Sequence, residues 1–563
     1  MDFDAIVVGS GISGGWAAKE LCEQGFKTLV IERGQHVQHG ADYQDFRNLW
    51  ELDNRGRMPE DVLDEDYEIQ RQCYAFNTAN QHLFVKDSDH PYETPEGRPF
   101  NWLRGYHLGG RSLLWARHSY RWSEMDFEAN LRDGHGIDWP IRYADIAPWY
   151  DYVERFAGIS GSYEGLDHVP DGQFLPAMDL NCVESAVKEK IEEAYPGRKL
   201  LMGRIAHLTE PTEEQKELGR GQCQFRNLCY RGCSYGAYFS SLSATLPAAE
   251  RTGNLTIVTD AIGHSVIYDP ATGRASGVRV VDYNTKEGRT YTAKVVFLCA
   301  SAIGSTHMML NSISEQFPNG IANSSGALGR YLMDHVSGFG VSGTMPGFAD
   351  KYYAGKRPGG IYVPRFRNLP GQTPETDFVR GYGFQGGGAR ADWRRGTYQA
   401  GVGAELKERL RTPGPWSFGF SIFGEMLPRA ENRITLSRNT DKWGIPLPHI
   451  DCTLGDNDLK LAARALEDAT EMLETAGVVQ LRTRAEPAPP GHGIHEMGSA
   501  RMGRNPRESV LNRWNQAHDV PNLFVTDGAC MTSSACQNPS LTYMALTARA
   551  ARHAGELMKE GIV

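Results

Sequence analysis

The stretch Asp4-Ala5-Ile6-Val7-Val8-Gly9-Ser10-Gly11-Ile12-Ser13-Gly14 decides the reading of this chain. Ala5 to Val8 is a continuous apolar run, as expected of a strand buried on both faces. A helical pattern follows through Ala17, Ala18, Leu21 and Cys22, and Gly25 is placed to cap its C-terminus. Thr28 to Ile31 reads as a second buried strand. It ends at Glu32, about 20 residues past the glycines, the spacing of a dinucleotide-binding βαβ unit. The three glycines do different things. Gly9 permits the tight turn, Gly11 lets backbone approach a pyrophosphate, and Gly14 lets helix and strand pack closely. Ile12 and Ser13 open the helix whose free N–H groups and positive dipole end face the phosphates. Glu32, followed by Arg33, can accept hydrogen bonds from both ribose hydroxyls. The glycines, flanking elements and acid together imply a dinucleotide; they do not choose between FAD and NAD.

The chain has 563 residues, which points to two intimately packed domains. Its 40 % hydrophobic and 23 % charged residues are ordinary for a globular protein. A formal net charge of −10 argues against nucleic acid as a partner, because neutralising phosphates needs Lys and Arg. No run approaches the roughly 18–20 apolar residues of a membrane span. The start, Met-Asp-Phe-Asp-Ala-Ile-Val-Val-Gly, carries no signal-peptide pattern, so the sequence alone reads as cytoplasmic.

Further strands are expected at Leu255–Val258, Val266–Tyr268, Val278–Val281, Val295–Leu298 and Leu523–Val525, with a hairpin turn at Asp269–Gly273 and a helix from about Pro539 to Met558. The expected architecture is a discontinuous α/β (Rossmann-like) nucleotide domain made from 1–175, 241–335 and 490–563. Residues 205–240 read as a cysteine-rich insertion. Residues 336–489 read as an α+β substrate domain on an antiparallel sheet, with an amphipathic helix near 456–476. Its aromatic stretches, Gly381-Tyr382-Gly383-Phe384-Gln385 and Trp416-Ser417-Phe418-Gly419-Phe420, suit stacking on sugar rings.

Several segments together carry a family resemblance. They are the N-terminal unit, the second glycine turn Gly109-Gly110-Arg111-Ser112-Leu113-Leu114-Trp115, Ala300–Ser305, and Leu328-Gly329-Arg330-Tyr331-Leu332-Met333-Asp334-His335. The C-terminal block adds His495-Glu496-Met497-Gly498-Ser499-Ala500-Arg501-Met502-Gly503, Asn522–Gly528 and Asn538-Pro539-Ser540-Leu541-Thr542. The chain resembles the glucose-methanol-choline (GMC) oxidoreductase family nearly end to end. That resemblance implies FAD, a substrate domain over the flavin's reactive face, and oxidation of an alcohol. It implies cofactor contacts from Gly9, Gly11, Ile12, Ser13, Gly14, Glu32, Arg33, Gly109, Gly110, Ser112, Asp527, Asn538, Ser540 and Leu541.

Within the family, Arg226–Cys233, Gly105–Trp115 and Asp138-Trp139-Pro140-Ile141 are similar to bacterial glucoside 3-dehydrogenase flavoprotein subunits. Some family members carry a flavin-linked histidine in the second glycine turn. Leu114 occupies that position here, so FAD is expected without a covalent link.

Oxidising an alcohol to a ketone needs a base for the hydroxyl proton and an acceptor for the hydride, and the flavin is the acceptor. Histidine suits the base role because its pKa lies near working pH. The resemblance places that base at His495 and its partner at Asn538, whose amide can hydrogen-bond a developing alkoxide. Without the resemblance His495 is one of 17 histidines and Asn538 a helix start before proline. His492 and His335 read as structural.

Seven of the ten cysteines are scattered and read as small buried hydrophobes. Cys223, Cys229 and Cys233 form a close cluster. Thiolates at such spacing suit an iron–sulfur centre, a zinc site with a fourth ligand, or three unpaired thiols. The resemblance to sugar dehydrogenase flavoproteins favours a [3Fe–4S] cluster. It further implies electron exit to an external acceptor such as cytochrome c, and a small accessory subunit that carries the export signal for a periplasmic enzyme. The expected activity is oxidation of a sugar or glycoside secondary hydroxyl at C3. A related sugar oxidase using O₂, and a gluconate or polyol dehydrogenase, are the alternatives.

Overall fold

The computed structural model describes residues 1–352, 357–392, 395–396 and 399–563. Its first sheet grows from the N-terminal apolar run. Strand β1 (Phe3–Val8) lies between β2 (Thr28–Ile31) and β3 (Gly288–Leu298), parallel to both, with Val7 opposite Val30 and Phe297. Leu255–Val258 extends the parallel ladder beyond β2, and β4 (Leu523–Val525) pairs parallel with the far end of β3. The N-terminal half of β3 joins an antiparallel meander with Arg274–Asp282 and Ala261–Asp269, making seven strands. Ala5, Ile6 and Val7 are fully buried, as a two-sided parallel strand requires. Each Val or Ile buried this way contributes about 1.5–3 kcal/mol.

Helix α1 (Ile12–Glu23) follows the first glycine turn, and Gly25 ends it at φ 92° with its N–H on the Cys22 carbonyl. Helix α2 (Ser540–Lys559) packs beside α1 and closes the domain with residues far along the chain.

The second sheet is antiparallel throughout. Its order is Val479–Arg484, Gly340–Met345, Trp416–Glu425, Tyr382–Arg390, Ile361–Val363 and Leu201–Met202, with His335–Val336 also pairing on Trp416–Glu425. The Leu201–Met202 strand comes from well outside the 336–489 segment. Helix Asp456–Thr475 covers one face through Leu461, Ala465, Ala469 and Met472.

That helix changes the meaning of the strand aromatics. Tyr382, Phe384, Trp416, Phe418 and Phe420 are buried in one hydrophobic cluster with it. They build the core of the second domain and are not among the residues lining the cavity between the sheets. A period-two strand has two faces, and the aromatic face here is the one covered by the helix. The cavity's aromatics are others: Tyr74, Phe84, Trp102, Tyr106, Trp115, Phe339, Phe423 and Tyr543.

Candidate active site

A cavity of about 610 Å³ runs from the first glycine turn to the inner face of the second sheet. At its nucleotide end the glycines act differently. A Cβ on Gly9, at φ 97°, would sit 2.4 Å from the Cys299 carbonyl oxygen. One on Gly14 would sit 1.8 Å from the Gly9 oxygen. One on Gly11 would meet nothing within 4 Å. Gly9 and Gly14 are therefore glycines because backbone packs on them, and Gly11 faces open space at the start of α1, where N–H groups are free to bind an anion.

Glu32 is buried and ties this corner together. Its Oε2 accepts from the Ser10 hydroxyl (2.5 Å) and the Ser10 N–H (3.1 Å), and its Oε1 accepts from Gly34 N–H (2.9 Å). Burial pushes its pKa up, against those hydrogen bonds. Ser10 in turn accepts from Gly109 N–H at 2.9 Å, which locks the second glycine turn onto the first. Sequence reading missed Ser10, because a serine between two glycines carries no signal of its own.

Of the other residues expected at the cofactor, Ile12, Ser13, Arg33, Gly110, Ser112, Asp527, Asn538 and Ser540 line the cavity with Gly9, Gly11 and Glu32. Gly14, Gly109 and Leu541 do not: Gly109 turns at φ 89° against Leu242, and Leu541 is buried in the core. Asp527 accepts from Ser305 Oγ (2.5 Å) and Ala529 N–H (3.0 Å), and burial pushes it up to about 6. Arg33 lies over the rings of Tyr106 and Trp443. Leu114 lines the cavity.

At the far end the C-terminal block meets the second sheet. Buried Asp334 accepts three backbone N–H groups, from Gly491 (2.8 Å), Gly493 (2.9 Å) and His495 (3.0 Å), and so fixes the segment carrying His495. Burial, then the charge of Glu496, pushes Asp334 up to about 6. Glu496 is itself held by two hydrogen bonds from Arg111.

The His495 ring lies between two partners. Its Nδ1 is 3.0 Å from His335 Nδ1, and its Nε2 is 3.4 Å from Asn538 Nδ2. Burial, then the competition of the neighbouring His335 ring for a proton and the charge of Arg111, hold its pKa well below the usual histidine value, so the ring is neutral. Asn538 Oδ1 accepts from Gln385 Nε2 at 2.5 Å. The structure thus joins His495 and Asn538, 43 positions apart, and adds His335 and Gln385, neither of which the sequence had placed at the site. Gln385 ended one of the quoted aromatic stretches. On a strand it takes the face opposite Phe384, and that alternation was the available signal.

The cysteine segment lies behind the same cavity. Cys223 is buried, and Cys229 and Cys233 are half-buried. Burial, then the charges of Cys229 and Cys233, push Cys223 up to about 11. His207 Nε2 is 3.6 Å from Cys229 Sγ. Among the described residues, no three His, Cys, Asp or Glu side chains converge to hold a metal ion. Such an arrangement is what a closed zinc site, or a cluster held by these three thiolates, would need. Arg117 is 1 % exposed, 4.8 Å from the ring centres of both Tyr230 and Tyr238, and its Nε and Nη1 have no partner. Arg117 also lines the cavity, and its charge acts on Cys229.

A nucleotide cradle on a mostly parallel sheet, opening under an antiparallel sheet onto a buried neutral imidazole, defines a dinucleotide-dependent oxidoreductase. The GMC oxidoreductase N-terminal model matches residues 3–337 and its C-terminal counterpart residues 428–547. The chain belongs to the GMC oxidoreductase family, whose members bind FAD and act on CH–OH groups. It is 27 % identical over 570 residues to 2-methyl-1,2-propanediol dehydrogenase of Mycolicibacterium austroafricanum, covering 97 % of this chain and 94 % of that one. It is 25 % identical over 572 residues to the fructose dehydrogenase large subunit of Gluconobacter japonicus, covering 99 % and 98 %. The solved structure of pyridoxine 4-oxidase from Mesorbium loti shares the fold, with a TM-score of 0.57 at 17 % identity over 98 % of each chain. Among the described residues no helix is long and apolar enough to cross a membrane.

Proposed function

We propose that this protein is an FAD-dependent dehydrogenase that oxidises a secondary hydroxyl of a sugar or glycoside, at C3, to a ketone. The observation that carries the alcohol-oxidising part of this reading is the pair of nitrogens at the cavity wall, His495 Nε2 and Asn538 Nδ2, 3.4 Å apart; the glycoside class and the C3 position rest on the resemblance carried by Arg226–Cys233, Gly105–Trp115 and Asp138–Ile141. A hydroxyl seated between them gives its proton to His495 Nε2, while Asn538 Nδ2 donates to the oxygen as negative charge develops there. FAD, when bound, supplies the hydride acceptor at N5. The open face of Gly11 and the α1 N-terminus fit its pyrophosphate, Glu32 fits its adenosine ribose, and the second glycine turn and Asp527 fit the stretch between. Leu114 offers no atom for a covalent bond, so acid denaturation releases all the flavin.

The same proposal extends to an iron–sulfur centre, [3Fe–4S], on Cys223, Cys229 and Cys233, whose thiols do not converge as they stand and would have to draw together to hold it. Its support is the buried Arg117 beside Cys229, with Nε and Nη1 both unpartnered, a cation that an anionic thiolate-held cluster would satisfy. Electrons then leave to an external acceptor such as a c-type cytochrome. The full-length likeness to a protein named a large subunit supports a small accessory subunit, which would also carry any export signal to the periplasm.

Anaerobic mixing of the purified enzyme with glucose, glucosides, lactose and gluconate tests the substrate class. Glycosides are expected to bleach the flavin, and NMR of the product to place the ketone at C3. Bleaching by gluconate alone overturns the glycoside reading. Rapid O₂ consumption by iron-free enzyme overturns the dehydrogenase reading in favour of an oxidase.

A further inference from the structure

A backbone carbonyl fixes the direction of the hydrogen-bond chain that ends on His495. The Ala535 carbonyl can only accept, so His335 Nε2, 2.6 Å away, carries a proton. Burial holds the His335 pKa down to about 4, so the ring is neutral and its Nδ1 is bare. That bare Nδ1 lies 3.0 Å from His495 Nδ1, which must therefore carry the proton between them. His495 is left with an unprotonated Nε2. The other side of the ring agrees: Gln385 Nε2 donates to Asn538 Oδ1, which turns the Asn538 NH₂ toward that nitrogen.

We propose that His335 is a positioning residue that sets the His495 tautomer, keeping the bare nitrogen on the substrate side through the chain Ala535 carbonyl, His335, His495. The inference rests on His495 being the base. When the substrate O–H bond breaks, the proton forms the Nε2–H bond and the His495 ring becomes cationic, still donating its Nδ1–H to neutral His335. The chain ends on a carbonyl that takes no proton. The abstracted proton therefore leaves from Nε2 and does not travel through His335. Tautomer control of this kind decides whether an imidazole can act as a base at all.

Two substitutions separate this role from simple packing. In His335→Asn the amide oxygen takes the place of Nδ1, keeping the acceptor for His495 and losing the Ala535 contact. In His335→Gln the longer amide reaches Ala535 and loses that acceptor. The holoenzyme's flavin-reduction rate under anaerobic conditions is expected to fall about 100-fold in His335→Gln and to stay within about 5-fold in His335→Asn. FAD content and Tm are measured alongside. If the Gln variant does not retain FAD, His335→Leu, which also lacks the acceptor, takes its place. The reverse order, equal losses, or no loss in either variant overturns the inference. His495→Ala separates the two levels. Wild-type rates there remove the reading of His495 as base and the inference with it. A slow His495→Ala beside a fast His335→Gln removes the inference alone.

Discussion

Gln385 reaches across from the second sheet to hold Asn538, and replacing it with leucine tests whether that contact aims the amide. Gln385 and Asn538 are 8 % and 5 % exposed, and their hydrogen bond is 2.5 Å long. Gln385→Leu conserves much of the volume and leaves Asn538 Oδ1 buried without its donor, a loss of about 1–3 kcal/mol. If that loss falls on the aim of Nδ2 at the reacting oxygen, flavin reduction slows by about 5- to 150-fold. Gln385→Glu is expected to do worse, because an ionised carboxylate cannot donate to Oδ1 and turns the amide round, presenting an oxygen to His495. Stopped-flow reduction of the bound flavin at saturating alcohol, without O₂, isolates this step. The reasoning is refuted if both variants reduce as fast as wild type while Asn538→Ala is slow.

The depressed His495 pKa predicts a pH profile. A base must be neutral to accept a proton, so activity is lost only as pH falls through the lowered pKa. On that basis kcat/KM is flat across about pH 6.5–8, with its acid limb below the ordinary histidine value. An acid limb at or above about pH 7 contradicts the burial argument. Gly14→Ala places a Cβ 1.8 Å from a backbone oxygen, so it abolishes FAD retention or folding, read by flavin absorbance and yield. Gly11→Ala meets no protein atom and is expected to fold, with weakened FAD affinity measured by titration. Metal analysis and EPR of wild type against Cys229→Ser test the cluster; three irons per chain, lost in the variant, are expected, and iron-free wild type overturns that part of the proposal.

The nucleotide half was legible because its signals are local. One βαβ unit carries strand, turn, helix and acid within the first 32 residues, and buried parallel strands read as unbroken apolar runs. The expected strands at Leu255–Val258 and Leu523–Val525 lie where the apolar runs put them, and the helix near 456–476 is Asp456–Thr475. The second sheet was legible in kind and not in orientation. Aromatic alternation announces a two-faced strand, but which face meets the cavity depended on where helix Asp456–Thr475 lands. The site shows the same division. His495 and Asn538 came from a motif resemblance, while His335 and Gln385 reach them across 160 and 153 positions of chain. Strand alternation could show that Gln385 faces away from Phe384, but contacts of that range leave no trace in the sequence of which residue they meet.

The central claim is that this cavity lets a flavin oxidise an alcohol with His495 as the base. It is tested most directly by following the absorbance of the bound FAD after anaerobic addition of a glucoside, in wild type and in His495→Ala loaded with equal FAD. Rapid bleaching is predicted in wild type, with a rate at least about 100-fold lower in the variant. Equal bleaching rates in the two proteins would contradict it.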